Sequence, residues 1–192
     1  MSTINVDVIK YKNTIIITIL VILILYIGYK LSKSHRVSKI LDDMSVMDGY
    51  VLVNSQLNTE RDLKLCDFYI ASAFRPYLGP NQYLEYIDLS ITEKILTNGV
   101  RSIYVDVFND NMGEFAEPVI STGVKNGQWK LSLNSVTFDA LCKLLSTTIF
   151  NPGYVNNFED PFILMLNLNL NGNLNSLNKM RDIINDNFKR YL

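Results

Sequence analysis

The sequence predicts an α/β domain with about four parallel strands, preceded by a single transmembrane helix. Three observations support this. Residues 14–29 read TIIITILVILILYIGY without one charge. From residue 65 onward, runs of strand character alternate with runs of helix character, the pattern of a parallel sheet with helical crossovers. The run FILML at 162–166 is continuously apolar, as expected of a strand buried on both faces.

The hydrophobic content of the 192-residue chain, 48%, is high beside a charged content of 19% until the 14–29 run is set aside. With its flanks, residues 14–32 make about 20 residues, enough to cross a hydrocarbon core of about 30 Å at about 1.5 Å per residue. In lipid a helix satisfies its own N–H and C=O groups. Ile15, Ile16, Ile17, Leu20, Leu23 and Leu25 form the membrane segment, and Tyr26 and Tyr29 stand where an amphipathic ring suits the interface. A cleaved signal peptide is the rival, but its apolar region would be about 7–15 residues before a small-residue cleavage site. Here the run is longer and YKLSKS follows it. The lipid bilayer is thus the first expected partner.

Lys10 and Lys12 precede the run, and Lys30, Lys33, Arg36 and Lys39 follow it, which by the positive-inside rule places the soluble part on the cytoplasmic side. Two cysteines, Cys66 and Cys142, are too few for a disulfide framework, and no Asn stands in an N-x-[ST] context. The net charge of −1 and the lack of a basic patch with interleaved aromatics argue against nucleic acid as a partner. The juxtamembrane cations are read chiefly as topology signals rather than as a lipid-headgroup site. The Ile- and Asn-rich usage fits an AT-rich genome such as that of a large DNA virus or a parasite.

The expected organisation is a tail at 1–13, the transmembrane helix at 14–32, a connector at 33–64 with one apolar stretch (YVLV, 50–53), and a domain at 65–192. Within the domain, DFYIASA at 67–73 reads as the first strand. Residues 88–99 read as a helix with a capping box of Ser90 and Glu93 and a stop at Gly99. VRSIYVDVF at 100–108, rich in β-branched and aromatic residues, is the second strand. Residues 109–113 turn, and PVIST at 118–122 is a short third strand. Residues 134–150 form a helix with an apolar stripe of Val136, Leu141, Leu144, Leu145 and Ile149. FILML is the fourth strand, the Asn-rich 167–173 stretch a loop, and 175–192 a last helix with Leu177, Met180, Ile184 and Phe188 on one face.

This order of segments resembles the X region of phosphatidylinositol-specific phospholipase C, over roughly residues 65–190. The family's I-x-S-S-H-N-T-Y-L block corresponds to IASAFRPYL at 70–78. Its G-C-R-x-x-E-L-D-x-W corresponds to GVRSIYVDVF at 99–108, its E-P-x-I-x-H-G to EPVISTG at 117–123, and its P-V-I-L-S-x-E-x-H to PFILMLNLN at 161–169. The resemblance implies the first half of a distorted (β/α)8 barrel, hence half of a TIM-type barrel.

The departures fall on the chemistry. The two histidines that do the family's acid/base work correspond to Phe74 and Thr122. Phenylalanine holds no exchangeable proton, and a threonine hydroxyl does not titrate near neutral pH. His35, the only histidine, lies beside the membrane segment. The family's calcium ligands correspond to Arg75, Tyr104, Asp106 and Asn167. Only Asp106 is a retained ligand, and a hard cation wants several oxygen donors, charged ones among them. No metal or other cofactor is therefore expected; calcium enters only if the chain is active.

The expected function is that of a membrane-anchored, catalytically inactive relative acting as a binding or scaffold module. The alternative is a phosphoric diester hydrolase acting on phosphoinositide or a related lipid through a residual site of Arg75, Tyr104, Asp106 and Asn167. A plain ion pair between Arg75 and Asp106 is the simpler expectation for those two residues. Half a barrel leaves two open sheet edges, which a homodimer or a second-half partner would cover; the alternative is that the connector stretch YVLV at 50–53 folds back over one of them.

Overall fold

The computed structural model describes residues 3–45, 64–79, 84–124 and 130–191. These fall into two compact units, Met1–Lys39 and Ile40–Leu192. The YVLV stretch of the connector lies outside the described residues.

Helix α1 runs unbroken from Thr3 to Ser45, 43 residues, about 64 Å at the usual rise. It continues well past residue 32, through ground that composition marks only as polar connector. Every residue from 14 to 32 is exposed. Among the described residues nothing buries this apolar surface, and the helix is long and apolar enough to cross a membrane.

The domain is a mixed α/β fold with one five-stranded sheet. In chain order its elements are β1 (Ser72–Phe74), α2 (Leu89–Thr97), β2 (Ser102–Asn109), β3 (Pro118–Ile120), β4 (Val136–Thr137), α3 (Phe138–Thr148), β5 (Ile163–Asn169) and α4 (Leu174–Phe188). β2 is the hub. β5 runs parallel to it along its whole length, with Ser102 opposite Ile163 and Phe108 opposite Asn169. The other edge of β2 is divided: β1 pairs in parallel with 102–104, and β3 pairs antiparallel with 107–109. β4 then pairs antiparallel with β3. Three strands are parallel, where about four were expected, and two are antiparallel. The third strand runs back on the second because only the short loop after Asn109 separates them, too little chain for a crossover.

Several boundaries move. The first strand shrinks to three residues, and a 3-10 turn at Leu65–Asp67 precedes it. α2 is capped not by a Ser90–Glu93 box but by Asp88, whose carboxylate accepts from the Ser90 N–H and hydroxyl. Val136 belongs to β4, and Thr137 caps α3 by accepting from the Ala140 N–H. Residues 167–169, expected in a loop, complete β5. Gly99, at φ +92, takes a left-handed turn between α2 and β2 that suits a residue without Cβ.

The core lies between the sheet and the helices. Ile103, Val105 and Val107 of β2 face inward against Leu96, Phe138, Leu141, Leu145, Met180 and Phe188. α3 presents Phe138, Leu141, Cys142 and Leu145 at helical spacing, so one face is wholly buried. Each such side chain contributes about 1.5–3 kcal/mol by leaving water, and a Leu141→Ala change would cost about 2–5 kcal/mol. Arg101, buried just before β2, donates to the Ile149 and Asp160 carbonyls and ties α3 and the following loop to the sheet. β5 is less buried than expected: Met165 is 42% and Leu168 47% exposed.

Candidate functional site

Because side chains alternate along a strand, Ser102, Tyr104, Asp106 and Phe108 share the face of β2 turned away from the helical core. The register brings Phe74 beside Tyr104 on β1 and Asn167 beside Asp106 on β5. Arg75 follows the last residue of β1. Its N–H donates to the Tyr104 carbonyl at 2.9 Å, and a left-handed backbone at φ +48 turns its side chain onto the strand end.

Three of the four candidate residues meet directly. Arg75 Nη2 stands 2.6 Å from Asp106 Oδ2, with the two side chains 17% and 1% exposed. Oδ2 takes no aligned hydrogen bond, so this contact is one of charge on charge. Asn167 Nδ2 donates to the other oxygen, Oδ1, at 2.7 Å. A buried carboxylate is tolerable only when paired and hydrogen-bonded, and Asp106 is both. The fourth candidate, Tyr104, joins through rings: it stacks on Phe74 at 4.9 Å, and the Arg75 guanidinium lies over the Phe74 ring at 4.8 Å. Phe74 remains 56% exposed. Thr122 is fully buried, its hydroxyl without a hydrogen-bond partner among the described residues, and no hydrogen bond there joins it to the Arg75–Asp106 pair.

Tyr77 supports this arrangement and was not among the candidates. Fully buried, its hydroxyl accepts from the Asp106 N–H and donates to the Ser121 carbonyl, both at 3.1 Å. It thereby bridges the interval on β2 between the part paired with β1 and the part paired with β3. Burial pushes its phenol far above the ordinary range, so it is a neutral strut. Nothing in its local sequence, RPYL, separates a buried tyrosine from a surface one.

The donor set does not fit calcium. One carboxylate is present, both its oxygens are engaged, and a guanidinium sits 2.6 Å away where a cation would need that charge. The cluster's single carboxylate, Asp106, is paired with Arg75, and the only histidine in the sequence, His35, is on α1.

No protein-family model and no curated protein sequence matches the chain. Among solved structures, PLC21 from L. pealei, a phospholipase C, matches with a TM-score of 0.56 at 20% identity, over 71% of this chain and 16% of that one. PLC21 from S. officinalis matches with a TM-score of 0.53 at 19% identity, over 69% and 15%. The chain therefore spans about a sixth of the length of these structures, and the likeness establishes a phospholipase C-like fold.

Proposed function

We propose that this chain is a membrane-anchored, non-hydrolysing protein whose phospholipase C-like domain acts as a binding or scaffold module. The observation that supports it best is the closed Arg75–Asp106–Asn167 cluster. A phosphodiesterase needs a group that takes up a proton at the attacking oxygen and a charge that stabilises the phosphoryl oxygens. The one carboxylate here is neutralised by the one guanidinium. The positions that would hold histidine in the resembling family hold an exposed phenylalanine, Phe74, and a buried threonine, Thr122. What the fold retains is shape: the parallel β1–β2–β5 set and the glycine turn that leads into it. We read this domain as the first half of a TIM-type barrel and α1 as its anchor.

The test is hydrolysis by the full chain in detergent of phosphatidylinositol and of glycerophosphodiesters, with and without calcium. No turnover above an Asp106→Ala control is expected. Turnover that Asp106→Ala abolishes would instead establish a phosphoric diester hydrolase working through Arg75, Tyr104 and Asp106.

A further inference from the structure

β5 meets β2 along one edge, and among the described residues no strand lies on its other edge. The Ile163 N–H donates to the carbonyl of Arg101, the residue just before β2, at 2.8 Å. In a parallel pair, alternate residues direct both backbone groups to the same side. Residues 163, 165, 167 and 169 thus face β2, and the N–H and C=O groups of Leu164, Leu166 and Leu168 point outward. Natural sheets guard such an edge with a charge, a proline or a bulge. The seven residues of β5, ILMLNLN, contain none of these.

We propose that this edge is the docking site of a second copy of the chain, which adds its own β5 antiparallel, centred on Leu166. The proposal rests on the reading of the chain as a membrane-held binding module and names its partner. Three features favour a second copy. In this register Leu166 faces Leu166 and Leu164 faces Leu168, so all three outward-facing residues find outward-facing partners and every exposed donor meets an acceptor. An isologous contact must be self-complementary, and an uncharged strand brings no like charges together. On the helical side, leucine meets leucine at each pair, and on the other side Met165 meets Asn167. The area also decides the setting. One seven-residue edge falls well short of the roughly 1,200–2,000 Å² of a stable interface. Association therefore depends on confinement, which a shared bilayer supplies by raising the effective concentration of copies.

Disulfide trapping tests the register. The full chain, with exposed Cys66 changed to Ser, is placed in vesicles at low density and oxidised mildly. Leu166→Cys is expected to form a covalent dimer, since facing residues of a hydrogen-bonded antiparallel pair lie about 5.5 Å apart, within disulfide reach. Leu164→Cys alone is expected to stay monomeric, its two copies being displaced by about 13 Å along the strands; mixed with Leu168→Cys it should cross-link. Adding Leu168→Lys, at an exposed edge position, to Leu166→Cys should lower the dimer at least tenfold. Equal cross-linking at 164 and 166, or no dimer at 166, overturns the proposal. Carbonate extraction of the same vesicles scores insertion. A monomer in inserted protein overturns the dimer and leaves the anchoring reading standing; protein that never inserts overturns both.

Discussion

Arg75, just past the end of β1, and Asp106, in the middle of β2, stand 2.6 Å apart, one side chain 17% and the other 1% exposed, and each is the other's only charged contact among the described ion pairs. Removing either partner leaves a charge in a largely desolvated place. Arg75→Met or Asp106→Leu alone is expected to destabilise the domain by roughly 3 kcal/mol, while the double variant should lose much less, since a buried pair can often be replaced by apolar side chains at little cost. Chemical denaturation of the four proteins in detergent, read as a double-mutant cycle, checks this. Additive losses would mean that the two residues do not act as a pair.

Calcium at millimolar concentration is expected to leave the melting temperature unchanged to within about 1 °C, because a ligand stabilises only the state that binds it. The guanidinium already sits where the cation would. A calcium-dependent rise that Asp106→Ala removes would contradict the closed-cluster reading.

Much of this was legible from residues alone. The second strand and both middle helices follow from hydrophobic period and segment order, whereas the expectation that Arg75 meets Asp106 comes from the family resemblance alone. The antiparallel turn of β3 does not, because PVIST has the same composition whichever way it runs. β5 extends into the Asn-rich stretch because Asn167 and Asn169 lie opposite Asp106 and Phe108, where tertiary pairing overrides weak strand propensity. The role of Tyr77 depends on a gap in the ladder that exists only once three strands are assembled.

Alkaline pH should weaken the fold. Burial, reinforced by nearby Asp139, pushes the Cys142 thiol up to about 12. The unfolded chain loses this proton at the ordinary value near 9, while the folded chain keeps it to about 12. Between these values the unfolded state binds fewer protons, so stability is complete below pH 9 and declines as pH rises toward 12. Tyr77, also raised by burial, adds to the loss at the upper end. Unfolding midpoints from pH 8 to 11 should fall for the natural chain and fall less steeply for Cys142→Ala.

Asn173 caps α4 by accepting from the Ser176 N–H, and its amide donates to the Gly113 and Glu114 carbonyls. Asn175 donates to Glu114 and Ser176 to Ala116, so one helix turn pins the loop between β2 and β3. Asn173→Ala should cost about 1–2 kcal/mol. Hydrogen exchange should speed up at residues 113–117 before it does in β2; uniform protection would argue against this anchoring of the loop.

Replacing Leu20 and Leu23 with arginine should cost roughly 3 kcal/mol each at the centre of a spanning helix. The natural chain is expected in the carbonate-resistant membrane fraction and the double variant in the supernatant. A natural chain shortened by its first thirty or so residues would instead mark the apolar run as a leader.

The divided edge of β2 also sets an order of assembly. Its full-length neighbour β5 is far along the chain, Asp106 and its partner Asn167 being 61 residues apart. Only β3 lies close enough in sequence to join early, and loops closed over greater distance form later. During synthesis α1 leaves the ribosome before any strand of this sheet has emerged, and the central sheet cannot close until β5 does. Such a chain would expose its long apolar helix while the domain is still unfolded and complete its sheet only once β5 has emerged.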